Sequence, residues 1–271
     1  MSMKTKIMSN PYLTLFSIGI KDTLAYKANF ILSLFSSLAQ AGLMILIWTA
    51  IYHFTNTTSL VGITLSSMYI YFFLVYAFRS VINMNLPEVM QQDVQSGSVA
   101  AAYTRPLKYP LQVFFNSIPD DMLYALIITL PLLVIAVLLS PQPVSSFTAL
   151  LVVVELAIGY SLVSLIGFMI GMLAIKMVNI YGIANSMWSI MLLLGGGVMP
   201  LALFPNAITH ILMFTPFPIM LYTPAATFLG IVSSSEAINS IIISAVWVVA
   251  LAIISAAAWK FVRKRITSAG G

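Results

Sequence analysis

The chemistry-bearing side chains of this chain are few and far apart. Glu155 sits in the run LVVVELAIGY, where every neighbour is apolar or small. A carboxylate in such a setting is expensive, and an ionisable group inside an apolar span is a functional candidate by default. No residue three or four positions from Glu155 on its own helix can pair with it. Two readings follow: Glu155 faces a translocation path and favours a cationic or hydrogen-bond-donating substrate, or it is a buried carboxylic acid bonded to another helix. Asp120 and Asp121 form a second acidic site, Arg79 stands alone in YAFRSVI, and His53 and His210 are isolated. Nothing places a histidine, a nucleophile or a metal ligand beside the aspartates, so no catalytic constellation is legible. The chain also lacks GxxxxGK[ST], so it has no phosphate-cradling loop of that kind. No cofactor or metal is expected on this chain.

The elements that must position these residues are hydrocarbon-soluble helices. Of 271 residues, 61% are hydrophobic and 7% charged, with a mean hydropathy of +1.03. A soluble domain carries roughly a quarter charged residues, so the composition predicts one integral membrane domain over 1–271. Apolar runs near 20 residues indicate helices rather than a barrel. The net charge of +5 reflects basic residues at helix ends, which argues against a nucleic-acid partner. There is no cysteine, hence no disulfide. No cleavable signal is expected, because the first long apolar run, from near Phe30, is too long for one. No internal repeat or linker is evident.

Spans are expected at about 29–51, 66–85, up to Leu139, 147–175, 181–199 and 237–259. For the third, the preferred start is Pro119, with Asp120 and Asp121 in the first turn; the alternative is a continuous, proline-kinked helix from Tyr109 whose carboxylates face the path. Arg79 is expected to snorkel towards headgroups, with pairing to Asp93, Asp120 or Asp121 as the alternative. Residues 200–235 are apolar but interrupted by Pro205, Pro216, Pro218 and Pro224. Taken as a re-entrant hairpin, they leave six spans with both termini on one side. All twelve Lys and Arg then fall on or near the cytoplasmic face, and the outer segments 52–65, 140–146 and 200–236 carry none, as positive-inside bias requires. Within the hairpin, 206–214 reads as one short helix, and Thr223 as cap, Pro224 and Gly230 bracket another. Gly159, Gly167 and Gly171 share a helix face, suited equally to packing within the chain or between copies. Gly195, Gly196 and Gly197 before Pro200 suit a bendable helix end feeding a gate, or close packing.

Two segments outside the spans carry structure. Pro11 and the stripe Leu13, Phe16, Ile20, Leu24 predict an amphipathic helix over 11–27 lying in the interface. The loop LPEVMQQDVQSGSVAAAYTRPLKYP is the longest solvable run inside the chain. Pro87 and Glu88 start a helix there and Gly97 ends it. Leu86, Met90 and Val94 lie on one side, with Gln91, Gln92 and Gln95 on the other. Ser98 can cap a further short turn, which Pro106 stops. Such a short helix is marginal alone, so contact must hold it.

Asp93-Val94-Gln95-Ser96-Gly97-Ser98 followed by Arg105-Pro106-Leu107-Lys108-Tyr109-Pro110 resembles the D-[IV]-x-S-G-S … R-P-L-x-Y-P signature of ATP-binding-cassette (ABC) type-2 permeases, in their six-span branch. Ala25 to Phe30 agrees, as do Phe204-Pro205, Thr215-Pro216-Phe217 and Tyr222-Thr223-Pro224-Ala225. Where the family often carries a basic residue, this chain has Gln95. The resemblance implies an all-α polytopic permease with six transmembrane helices, an N-terminal elbow helix, a coupling helix in 87–104 between spans two and three, and an outer re-entrant hairpin between five and six. It implies an exporter subunit that is not itself an enzyme. Two ABC ATPase subunits on separate chains, carrying ATP and Mg, would drive it, and a second or homologous permease copy would complete it in a prokaryotic cell membrane. Glu88, Asp93, Val94, Gly97, Arg105 and Pro106 would then meet the ATPase. Glu155, Gly195, Gly196, Gly197, Pro200, Phe204 and Pro205 would belong to the path or gate. The apolar lining and Glu155 lean towards a hydrophobic or amphipathic cation as substrate. Competing readings are an ion-coupled secondary transporter using Glu155 and, further off, a lipid-modifying membrane enzyme.

Overall fold

A computed structural model describes residues 27–99, 108–140, 143–177 and 179–269. The elbow expected over 11–27 falls outside these residues except for Lys27, the first residue of α1 (Lys27–Thr55). Helix α2 (Leu65–Val81) returns and is followed by the short α3 (Leu86–Gln95). Next come α4 (Tyr109–Tyr124), a π turn (Ala125–Thr129) and α5 (Leu130–Leu139), which run on as one rod. Helix α6 (Ser146–Gly171) ends in a 3₁₀ turn (Met172–Ile175), and α7 (Tyr181–Leu194) leads to the short α8 (Asn206–Met213) and α9 (Tyr222–Phe228). The last helix is α10 (Ser234–Ala269).

Five of these segments are long and apolar enough to cross a membrane, and α7 is a shorter apolar helix. The chain is therefore a multi-pass membrane protein. At 14 residues, α7 rises about 21 Å against about 30 Å of hydrocarbon. It was expected to reach Met199. It stops at Leu194 because Gly195 caps it and Gly196 turns left-handed at φ +83°.

The third span corrects the preferred start at Pro119. That proline lies inside α4, so Asp120 and Asp121 are not first-turn residues. Proline removes one intrahelical hydrogen bond, and the π turn that follows is a frequent companion of local strain in a helix. The all-α expectation also misses a two-residue hairpin, in which Ser59 pairs with Thr64 and Leu60 with Ile63. Val61 and Gly62 form its turn at φ +50° and +79°, the primed geometry that matches strand twist. Tyr52 Oη ties it to α1 through the Ile63 carbonyl at 2.7 Å.

Helices α2 and α6 form the middle of the chain. Tyr71, Phe72, Leu74 and Phe78 of α2 are fully or almost fully buried. In α6, Leu162 and Val163 are fully buried. Between lipid-soluble helices, close approach rather than solvent exclusion supplies the attraction, and α6 shows it. A Cβ on Gly159 would meet the Ile219 carbonyl oxygen at 3.1 Å, and one on Gly167 would meet Met84 Cγ at 3.1 Å. The glycine face of α6 is thus used within the chain, by the hairpin at Gly159 and by the α3 end at Gly167 and Gly171.

Candidate functional site

The loop helix is built as its residues dictate, with one exception. Pro87 lies in its first turn, Glu88 is the first-turn acid, and Gly97 at φ +72° takes the left-handed position after the cap residue Ser96. Met90 is completely buried, and Leu86 nearly so. The side chain of Met90 fills the notch at Gly171, where an added Cβ would overlap its sulfur. Val94 is half-buried, while Glu88, Gln92 and Gln95 to Ser98 are exposed. The exception is Gln91, expected on the outer side. Its Oε1 accepts the Ile180 amide at 2.8 Å, one of the unsatisfied donors at the start of α7. The loop helix therefore caps span five directly.

Asp93 is an internal staple. Its carboxylate accepts Ser98 Oγ at 2.7 Å and Tyr109 Oη at 2.9 Å. These bonds join three residues of the D…S-G-S…Y spacing, and Ser98, expected as a cap, donates to Asp93 instead. Residues 98–99 begin a further turn, whose remainder, with Arg105 and Pro106, lies outside the described residues. Hydrogen bonds to a charged group contribute about 1.5–3 kcal/mol each. Asp93→Ala is expected to speed amide exchange across 93–99 by at least about tenfold, since each 1.4 kcal/mol is tenfold. Unchanged exchange would remove the staple.

The hairpin sits at the far end of α6 and α7. Glu155 is 0% exposed; its Oε1 accepts Thr227 Oγ1 at 3.1 Å and its Oε2 has no partner. It is thus enclosed between α6 and α9 and faces no open space in this conformation. The three glycines are tightly packed. The Gly195 carbonyl accepts the Tyr222 amide at 2.8 Å, and the Gly196 carbonyl accepts Tyr71 Oη at 2.7 Å. Pro200 is buried and opens a 3₁₀ turn, Leu201–Leu203, that Phe204 closes. Pro205 is exposed and caps α8, and Thr209 Oγ1 reaches the Leu201 carbonyl at 3.0 Å. Thr223 is not the cap of α9, which begins at Tyr222 after Leu221; its hydroxyl meets Ser240 Oγ at 3.3 Å. Gly230 closes α9 as expected, at φ +69°, with Ile231 N–H on the Ala226 carbonyl at 2.9 Å, the Schellman pattern.

The remaining charges are also placed. Asp121 is buried and accepts Tyr160 Oη at 2.8 Å and Asn85 Nδ2 at 3.4 Å, so it connects spans three and four to the residue that precedes α3. Arg79 joins no aspartate among the described residues. It donates to Gln40 Oε1 at 3.1 Å and lies over the rings of Tyr76 and Trp188 at 5.8 and 5.6 Å. Asn85 was not singled out from the sequence, Gln91 was read only as an outward-facing residue of the loop helix, and Asp121 was read as one of an acidic pair. Tyr109 had a signal, as the tyrosine of the signature.

A family model described as "ABC-2 family transporter protein" matches residues 38–270. The chain belongs to the ABC-2 transporter family. No curated protein matches it. As an ABC-2 transporter membrane domain, the chain is a permease subunit, and its family implies an ABC ATPase as associate.

Proposed function

We propose that this ABC-2 permease is the passage-forming half of an exporter, moved by two ATPase subunits that press on the exposed side of α3. The observation that carries the reading is that α3 and the hairpin are joined by two struts. One is α6, which seats Met90 of α3 at Gly171 and holds Thr227 of the hairpin at Glu155. These positions are sixteen residues apart, about 24 Å of helix. The other is α7, capped by Gln91 at its start and joined to Tyr222 at Gly195 beyond its end. A push on α3 thus reaches the opposite end of the domain through packed elements, and a bistable arrangement biased by nucleotide is what such coupling requires.

The reading places ATP and Mg on the partner ATPases, a second or similar permease copy across the path, and both termini in the cytoplasm of a prokaryote. The last follows from the basic residues at one set of helix ends. The substrate is hydrophobic or amphipathic. Glu155 as an ion-coupling group has no support in its enclosed geometry.

Purification from the native membrane is expected to bring down an ATPase chain carrying a phosphate-binding loop. Val94→Pro removes a helical hydrogen bond inside α3, a defect of about 3 kcal/mol. It is expected to abolish transport while ATP hydrolysis by the complex continues. A permease that purifies alone and transports alone, or a Val94→Pro complex with normal transport-linked turnover, would contradict the reading.

A further inference from the structure

Spans one, two, three and five border a polar cleft of about 270 Å³, lined by Ser33, Ser37, Gln40, Asn83 and Arg79, with Tyr76 and Trp188 flanking. Among the described residues, no Asp or Glu lines it. Arg79 is half-buried there. Its one hydrogen bond among the described residues is to a neutral amide, Gln40 Oε1. Arg79 lies in the last turn of α2, and its guanidinium reaches across to Gln40 on α1. A half-buried cation with no acidic partner among the described residues is costly. The flanking rings offset part of that cost. A guanidinium has five N–H donors in a fork that matches an oxyanion, and most remain for a ligand. On α1, the exposed Leu32 lies next to Ser36, another residue of the cleft, about 40° round the axis, whereas Ile31 and Phe35 face away from it.

We infer that this cleft is a recognition site for the oxyanion headgroup of an amphiphile, a phosphate, sulfonate or carboxylate, with the apolar tail leaving the cleft past Leu32. Calling that amphiphile the transported substrate rests on the exporter reading above; the binding does not. The inference reverses the charge preference expected from Glu155, because Glu155 is enclosed and held by Thr227, whereas Arg79 faces a cleft with room in it.

The test is calorimetric titration of the purified permease, without ATPase, in an uncharged maltoside, comparing dodecyl phosphate with dodecyltrimethylammonium. The phosphate is expected to bind at least tenfold more tightly. Arg79→Gln is expected to lower its affinity at least tenfold, and Ser37→Glu, which supplies an internal counter-charge, to do the same. Lys260→Gln, remote from this cleft, is expected to change it less than twofold. Equal binding of the two amphiphiles by the natural chain overturns the site, whether or not the variants fold. A loss in Lys260→Gln as large as that in Arg79→Gln overturns it too, by reducing it to general attraction between charges. Failure here leaves the coupling reading standing, and absence of an ATPase partner leaves this titration unaffected.

Discussion

Gly171→Leu is expected to unseat the loop helix and cut transport at least tenfold while the permease stays folded. The notch at Gly171 is already filled by Met90, and the first carbon of any side chain placed there overlaps the methionine sulfur. Met90 is completely buried, so it has no free side to swing to. Overpacking a close-fitted contact costs about 1–3 kcal/mol. Here the strain is relieved by lifting α3 away from α6, which separates the loop from its strut. Two further variants give the prediction its sign. Gly182→Leu enters open space and is expected to leave transport unchanged. Met90→Ala in the Gly171→Leu background returns the missing volume and is expected to restore a measurable part of the activity. Transport by Gly171→Leu at the natural rate would show that this contact transmits nothing.

Gly196→Val is expected to destabilise the whole domain. The residue stands at φ +83°, which costs an L side chain about 1–2 kcal/mol. Its Cβ would fall 2.7 Å from Tyr71 Oη and 2.8 Å from Tyr222 Cβ, adding about 1–3 kcal/mol of overpacking. The Tyr71 hydroxyl that bonds the Gly196 carbonyl belongs to a fully buried side chain of α2, so it cannot yield cheaply. The combined cost of about 2–5 kcal/mol is expected to lower the thermal unfolding midpoint in detergent by roughly 10 °C. Gly42→Val, at a position with open space and ordinary φ, is expected to shift it by less than a third of that. A midpoint for Gly196→Val equal to that of the natural chain would return the glycines to the role of a slack hinge.

What could be read from the sequence was what depends on neighbours along the chain. Apolar runs of membrane length gave the spans. Gly97 and Gly230 were legible as helix ends because a left-handed residue after a helix favours glycine. The prolines of 200–235 marked broken backbone, and α8 and α9 lie there. What could not be read depends on residues far apart. Gln91 looks like a solvent-facing polar residue until Ile180, eighty-nine positions away, supplies its amide. Glu155 has no partner within a helical turn because its partner is Thr227, seventy-two positions on. Pro119 looked like a helix start because a proline usually is one; inside a span, a neighbouring π turn accommodates it. Three glycines in a row look loose, yet Tyr71 and Tyr222 close on them. The contacts of Arg79 with Gln40 and Trp188 were not legible because these residues lie on other helices.

The central claim is that the exposed side of α3 receives the ATPase. Photo-cross-linking tests it most directly. A benzophenone amino acid replaces exposed Gln92, and the cells are irradiated before lysis. The account predicts one dominant adduct, at the combined mass of permease and an ABC ATPase, lost when the probe is moved to exposed Val246 on α10. Adducts from position 92 only to lipid, or only after the outer face is opened to membrane-impermeant reagents, would contradict it.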